Sequence, residues 1–153
     1  MEEYRGPITI LMADGDEDDC QLTKEAWEEN RLANELRFVG DGEELLDYLL
    51  HRGQYSDPAD SPLPALILLE LNMPKKDGRE ALREIKASPE LRRIPVVVLT
   101  TSKAEEDIYR SYDLGASSYI TKPVTFEGLV KTVQHLDEYW FAVVELPTAS
   151  LAA

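Results

Sequence analysis

Positive charge, thiols and imidazoles are all scarce in this chain of 153 residues. Lys and Arg number 16 against 30 Asp and Glu, which leaves a formal net charge of −14 at pH 7. So acidic a chain repels phosphate backbones and anionic headgroups, and neither nucleic acid nor membrane is an expected partner. The lone cysteine, Cys20, has no second thiol to pair with. That excludes an internal disulfide and fits a cytoplasmic protein. The two histidines, His51 and His135, are far apart and lack ligand spacing, so an imidazole metal centre or a His-based triad has no support. No apolar run approaches the ~20 residues of a membrane span. The start, MEEYRGPITI, lacks the basic residues and apolar core of a signal peptide.

What the chain does have is a series of short apolar runs. Ala65 to Leu69 lies between prolines and is too short for a helix, so it reads as a buried strand of a parallel sheet. Glu70 stands where the run ends. After a turn with Pro74 and Asp77-Gly78, the positions Gly78, Ala81, Leu82 and Ile85 fall on one helical face. Further runs occur at Ile8–Met12, Leu36–Val39, Val96–Leu99 and Ser118–Ile120. Helical segments are expected over Asp18–Asn30, with Leu22, Ala26 and Trp27 inward, and around Leu45, Leu46, Leu49 and Leu50. Two more follow over Ala104–Leu114, with Ala104, Ile108 and Tyr112 in register, and over Thr125–Trp140, with Phe126, Leu129, Val130, Val133, Leu136 and Trp140. The segment Gly53–Pro64, rich in Pro, Ser and Asp, reads as a loop. Cys20 reads as helix filler. Asp18 and Asp19 are read as first-turn acids suited to the helix dipole.

Strands alternating with helices imply an α/β fold with a parallel sheet and helices on both faces. The flavodoxin-like order 2-1-3-4-5 is one of few right-handed solutions. It brings the ends of strands one, three, four and five together, and with them Asp14, Asp16, Glu70, Thr100 and Lys122. Acids, a hydroxyl and one lysine around a strand-end carboxylate suit phosphate and a divalent cation. A second acidic pattern, Asp14, Asp16, Asp18 and Glu25, has calcium-loop spacing. It lacks the glycine that such a loop needs at Asp19, and a strand precedes it instead of a helix.

From Ile8 to about Trp140 the sequence resembles the receiver domain of two-component response regulators. The matching pieces are ILMADGDEDD, LILLELNMPKKDG, IPVVVLTTS and LGASSYITKP, in order and correctly spaced. GREAL, the loop ending at Pro64, VVVLTTS and YWFAVVELP further resemble the small stand-alone regulators that serve bacterial phytochromes. The resemblance implies a (βα)5 receiver over residues 1–141 and a carboxyl-terminal arm over 142–153. It implies a phosphoacceptor position at Glu70, switch residues Thr100 and Tyr119, a phosphate-sensing lysine at Lys122 and a cis Lys122–Pro123 bond. The implied partner is a sensor histidine kinase of the bacteriophytochrome type.

Two departures shape the expected function. The family carries aspartate where this chain has Glu70, and a pair of adjacent acids where it has Asp14 followed by Gly15. Glutamate displaces the nucleophile by roughly 1 Å, which costs ~100-fold in a positioned reaction. Loss of a carboxylate at Gly15 is expected to weaken the magnesium site, leaving a residual one of Asp14, Glu70 and Asn72. The expectation is a non-enzymatic interaction module, impaired in phosphorylation, that requires no cofactor. The alternative is a working phosphorelay receiver in which Glu70 is a phosphomimic or an engineered replacement. A phosphate-processing enzyme is disfavoured because no second base is evident. A homodimer is expected through Tyr139, Trp140, Phe141, Val143 and Val144, because apolar residues continue past the end of the last helix. Folding of this segment back onto its own domain is the competing arrangement.

Overall fold

The computed structural model describes residues 8–141. Five parallel strands, β1 (Thr9–Ala13), β2 (Glu35–Val39), β3 (Leu66–Leu69), β4 (Val96–Thr100) and β5 (Ser118–Thr121), form one sheet in the order 2-1-3-4-5. The helices between and after them are α1 (Glu17–Glu29), α2 (Gly42–Leu49), α3 (Gly78–Ala87), α4 (Glu105–Asp113) and α5 (Phe126–Leu136). This is the flavodoxin-like order expected from the sequence. The central strands are continuous apolar runs because both of their faces are covered. All four residues of β3 and all five of β4 are buried, whereas the edge strands β2 and β5 are only partly so.

Strand alternation divides the core in two. Leu11, Ala13, Ile67, Leu69, Val96 and Val98 face α2 and α3, meeting Leu45, Leu49, Ala81, Leu82 and Ile85. Ile10, Met12, Leu66, Leu68, Val97 and Leu99 face α1 and α5, meeting Ala26, Trp27, Val133 and Leu136. Each fully buried Leu or Ile contributes about 1.5–3 kcal/mol, so β3 and β4 fix the sheet and the edges follow. The register levels the ends of β1 and β3, where Ala13 pairs with Leu69, while β4 and β5 run two residues further: Leu69 pairs with Val98, and the end residues Thr100 and Thr121 pair with each other. Asp14, Glu70 and Lys122 are each the first residue past the end of its strand.

Several local expectations are corrected. Leu22 is 40% exposed, and Thr23 takes the inward position beside Ala26 and Trp27. Leu50 falls at the end of α2 and is also exposed. On α4 the buried residue is Ser111, while Tyr112 is turned out. Phe126, at the start of α5, is exposed as well. The last helix ends its α-type turns at Leu136 and continues as a π-helical turn, Asp137–Phe141. No peptide bond among the described residues is cis, so Lys122–Pro123 is trans, the form that is favoured even before proline. Gly53–Pro64 is a loop as expected, with one 3-10 turn at Gly53–Tyr55. Tyr48 pins it by donating its hydroxyl to the Pro62 carbonyl at 2.8 Å. The stretch 142–153, with Val143 and Val144, lies outside the described residues.

One close approach sets the turn after β3. Gly78 opens α3, its N–H donates to the Leu71 carbonyl at 2.8 Å, and a Cβ there would overlap the Glu70 carbonyl oxygen. Only glycine allows α3 to start so near the backbone of Glu70. Gly78→Ala is expected to lower stability by about 1–3 kcal/mol, the usual cost of overpacking a tight site. Urea unfolding checks this, and an unchanged midpoint would show that the turn yields at no cost.

Candidate functional site

At the carboxyl edge of the sheet one ammonium collects three carboxylates. Lys122 Nζ donates to Asp14 Oδ2 at 2.6 Å, Asp19 Oδ2 at 2.7 Å and Glu70 Oε1 at 2.8 Å. An ammonium has three protons, and all three are used. The side chains of Lys122, Asp14 and Glu70 are 9%, 2% and 7% exposed. Asp19 is the half-buried rim of the cluster. Lys122 is brought here by its own backbone, whose N–H donates to the Thr100 carbonyl at 2.7 Å.

The second oxygens of the inner acids are also engaged. Asp14 Oδ1 accepts the Asp16 N–H at 2.9 Å. Glu70 Oε2 folds back to accept the Leu71 N–H at 2.7 Å and the Asn72 N–H at 3.3 Å. The extra methylene of glutamate permits this return to its own turn. Burial pushes the Asp14 carboxyl above its usual range, with Lys122 pulling the other way. Burial would lower the Lys122 ammonium, but its bonds to Asp14, Asp19 and Glu70 outweigh burial and hold it above the ordinary lysine value. A charged lysine is the firm conclusion, since three acids surround one base and leave a net −2. Among the described residues, no three His, Cys, Asp or Glu side chains are grouped so as to hold a metal ion.

Asp16 is not in this cluster. It is exposed and caps α1, accepting the N–H groups of Asp18 and Asp19 at 2.9 and 3.3 Å. Capping leaves its carboxylate no reach toward Lys122. Asp19, taken from the sequence as an acid for the helix dipole, has the place that Asp16 was assigned. Gly15 also faces elsewhere, because a Cβ there would meet Pro74 Cδ at 2.9 Å and the Gly40 carbonyl at 3.1 Å. A side chain at position 15 would start toward the turn after β3. The Asn72 side chain is exposed and its Oδ1 lies 3.5 Å from Arg79 Nη1. The Cys20 thiol donates to the Asp14 carbonyl at 3.6 Å, and burial pushes its pKa up to about 11, which makes it an inert thiol.

Beside the cluster, Thr100 is fully buried and Tyr119 half-buried. They meet at Ser102. The Ser102 N–H donates to Thr100 Oγ1 at 3.3 Å, and the Tyr119 hydroxyl donates to the Ser102 carbonyl at 2.9 Å.

A family model described as the response regulator receiver domain matches residues 10–134. The chain belongs to the response regulator receiver domain family. Response regulator Rcp1 of Synechocystis is 43% identical over 148 residues, 97% of this chain and 99% of that protein. Among solved structures, the phosphorylated cyanobacterial phytochrome response regulator RcpA superposes with a TM-score of 0.86 at 43% identity, covering 94% of this chain and all of that one. The Mn(2+)-bound form of Rcp1 gives 0.84 at 43% identity, covering 93% and 100%. Receiver domains partner with sensor histidine kinases, and this chain is a receiver of two-component signalling. No helix among its described residues is long and apolar enough to cross a membrane.

The cluster predicts the response to losing its cation. Lys122→Met strands Asp14 and Glu70 as buried, unpaired charges, and breaking such a pair costs about 3–5 kcal/mol. The deficit is expected in full near neutral pH. Asp14 has a raised pKa, so its native form binds a proton more tightly than its unfolded form, and acid relieves its burial. The gap between the variant and the native chain should therefore narrow as pH falls through the carboxylate range. Urea unfolding of both proteins across that range measures it, and a pH-independent gap would contradict it.

Proposed function

We propose that this receiver signals through protein contacts and is impaired in phosphorylation. The observation that carries the reading is the state of Glu70. Its carboxylate accepts three hydrogen bonds, from Lys122, Leu71 and Asn72, and so is poorly placed as an in-line nucleophile. The added methylene contributes its own ~100-fold penalty. The residues present also do not fit a magnesium ion. All four oxygens of Asp14 and Glu70 are committed to N–H groups or to Lys122, and magnesium tolerates little departure from octahedral geometry. The cause differs from the one expected, since the lysine takes the oxygens and position 15 faces Pro74. Glu70 carries −1 where a phosphate adds up to about −2. Its bonds run to Lys122 and to its own turn, while Thr100 Oγ1 is engaged by Ser102. That pattern favours a carboxylate holding the resting arrangement over one imitating phosphate.

The partner in this reading is a cytoplasmic sensor histidine kinase of the phytochrome type, on the strength of the likeness to RcpA. The net charge of −14 disfavours nucleic acid. A second reading, a working phosphorelay receiver, is favoured by the phosphorylated state of RcpA and the Mn(2+)-bound state of Rcp1. No enzymatic turnover is assigned. A homodimer through the carboxyl-terminal turn remains part of the proposal, on a smaller surface. Trp140 and Phe141 pack on their own domain, with Phe141 5.6 Å from the Trp27 ring, and Tyr139 is 57% exposed.

Incubation with acetyl phosphate and magnesium, read by intact mass, tests the central claim. The native chain should gain no phosphoryl group under conditions in which Glu70→Asp gains one. A phosphoryl group on Glu70 at a comparable rate would overturn it. Sedimentation equilibrium tests the assembly, with the native chain expected as a dimer that Tyr139→Ser shifts toward monomer. A native monomer at high micromolar concentration would remove the dimer from the proposal.

A further inference from the structure

Helix α4 is the least anchored of the five. Asp16, Asp41, Asp77 and Thr125 cap the other four with side-chain bonds, while α4 begins at Ala104 with none. It buries only Ser111. What holds its first turn is a side-chain bond to another helix. Arg79 of α3 reaches Asp107 Oδ1 through Nε at 3.0 Å and Nη2 at 2.9 Å. The other oxygen, Asp107 Oδ2, accepts the Ser102 hydroxyl at 2.7 Å. Arg79 is itself steadied by Asp77 at 3.0 Å. The Arg79 and Asp107 side chains are only 21% and 18% exposed, which separates them from loose surface pairs.

Ser102 thus serves two sets of bonds. Its hydroxyl is tied to Asp107, and its backbone joins Thr100 to Tyr119. We propose that Arg79 is a positioning residue: through Asp107 it holds Ser102 where Thr100 and Tyr119 both bond to it. Without the guanidinium, Asp107 loses its charge partner, the Ser102 hydroxyl loses a fixed acceptor, and the Tyr119 hydroxyl loses a fixed carbonyl. No bond in this arrangement passes through Glu70 or Lys122, so the proposal stands or falls independently of phosphorylation at Glu70.

Spatial connection alone does not establish coupling, so the test reads Tyr119 directly. The full chain is labelled with ring-13C tyrosine, and the Tyr119 signal is assigned by its loss in Tyr119→Phe. Arg79→Ala, Asp107→Asn and Ser102→Ala are each expected to move the Tyr119 signal in the same direction. Arg79→Lys keeps a cation against the Asp107 carboxylate, and is expected to move the signal less than Arg79→Ala does. Lys76→Ala breaks another α3 ion pair, with Glu84 at 2.5 Å, and should leave the signal in place. Tyr48 and Tyr55, whose rings meet at a 58° tilt with centroids 5.0 Å apart, report that the fold is intact. Should Arg79→Ala unfold the chain, Ser102→Ala decides by the same signal, because it removes one hydroxyl. An unmoved Tyr119 signal in the folded variants, or an equal movement in Lys76→Ala, would overturn the proposal.

Discussion

The carboxyl edge of this receiver depends on one ammonium. Three carboxylates could not stand so close without Lys122, and Lys122 would not stay charged away from water without them. The backbone makes the meeting obligatory. Asp14, Glu70 and Lys122 each follow directly on the end of a strand at the same edge of the sheet, with β5 running two residues beyond β1 and β3. The same bonds that make the cluster tolerable also occupy its lone pairs. In the function proposed for this receiver, stability and low reactivity have one cause, and neither can be adjusted without the other.

The fold was legible because its signals are cooperative. Short apolar runs between prolines and turns can be buried strands, and the helical stripe of α3, Gly78, Ala81, Leu82 and Ile85, is buried as read. Periodicity was less reliable where few residues decide it. Leu22 and Tyr112 were assigned inward, yet Thr23 and Ser111 occupy those positions, because a rotation of part of a turn changes which residue points inward. At the site, residue types were legible and orientations were not. Asp16 and Asp19 look equivalent in DGDEDD. One is consumed by capping its own helix, and the other projects from the first turn toward the end of a strand more than a hundred residues later. Gly15 carried a similar ambiguity, since a missing side chain gives no hint of the direction it would have taken.

The family relationship assigns a fold and a signalling role, and the chemistry rests on single side chains. Relatives 43% identical to this chain appear in phosphorylated and Mn(2+)-bound forms. The backbone of this chain superposes on theirs. One methylene at Glu70 is enough to let the carboxylate turn back on its own backbone, so a change invisible to fold comparison has its effect entirely within the site.

The weak anchoring of α4 also bears on motion. A protein opens in cooperative pieces whose free energies range from near zero to that of global unfolding. An element with no capping side chain, one buried residue, and a buried Ser111 hydroxyl that finds no hydrogen-bond partner among the described residues belongs near the low end of that range. Its amides should exchange with solvent well before those of α3, which is capped and buries Gly78, Ala81, Leu82 and Ile85. A partner that grips α4 would then be selecting from an ensemble in which this helix is intermittently detached, and part of its binding free energy would go to holding the helix down.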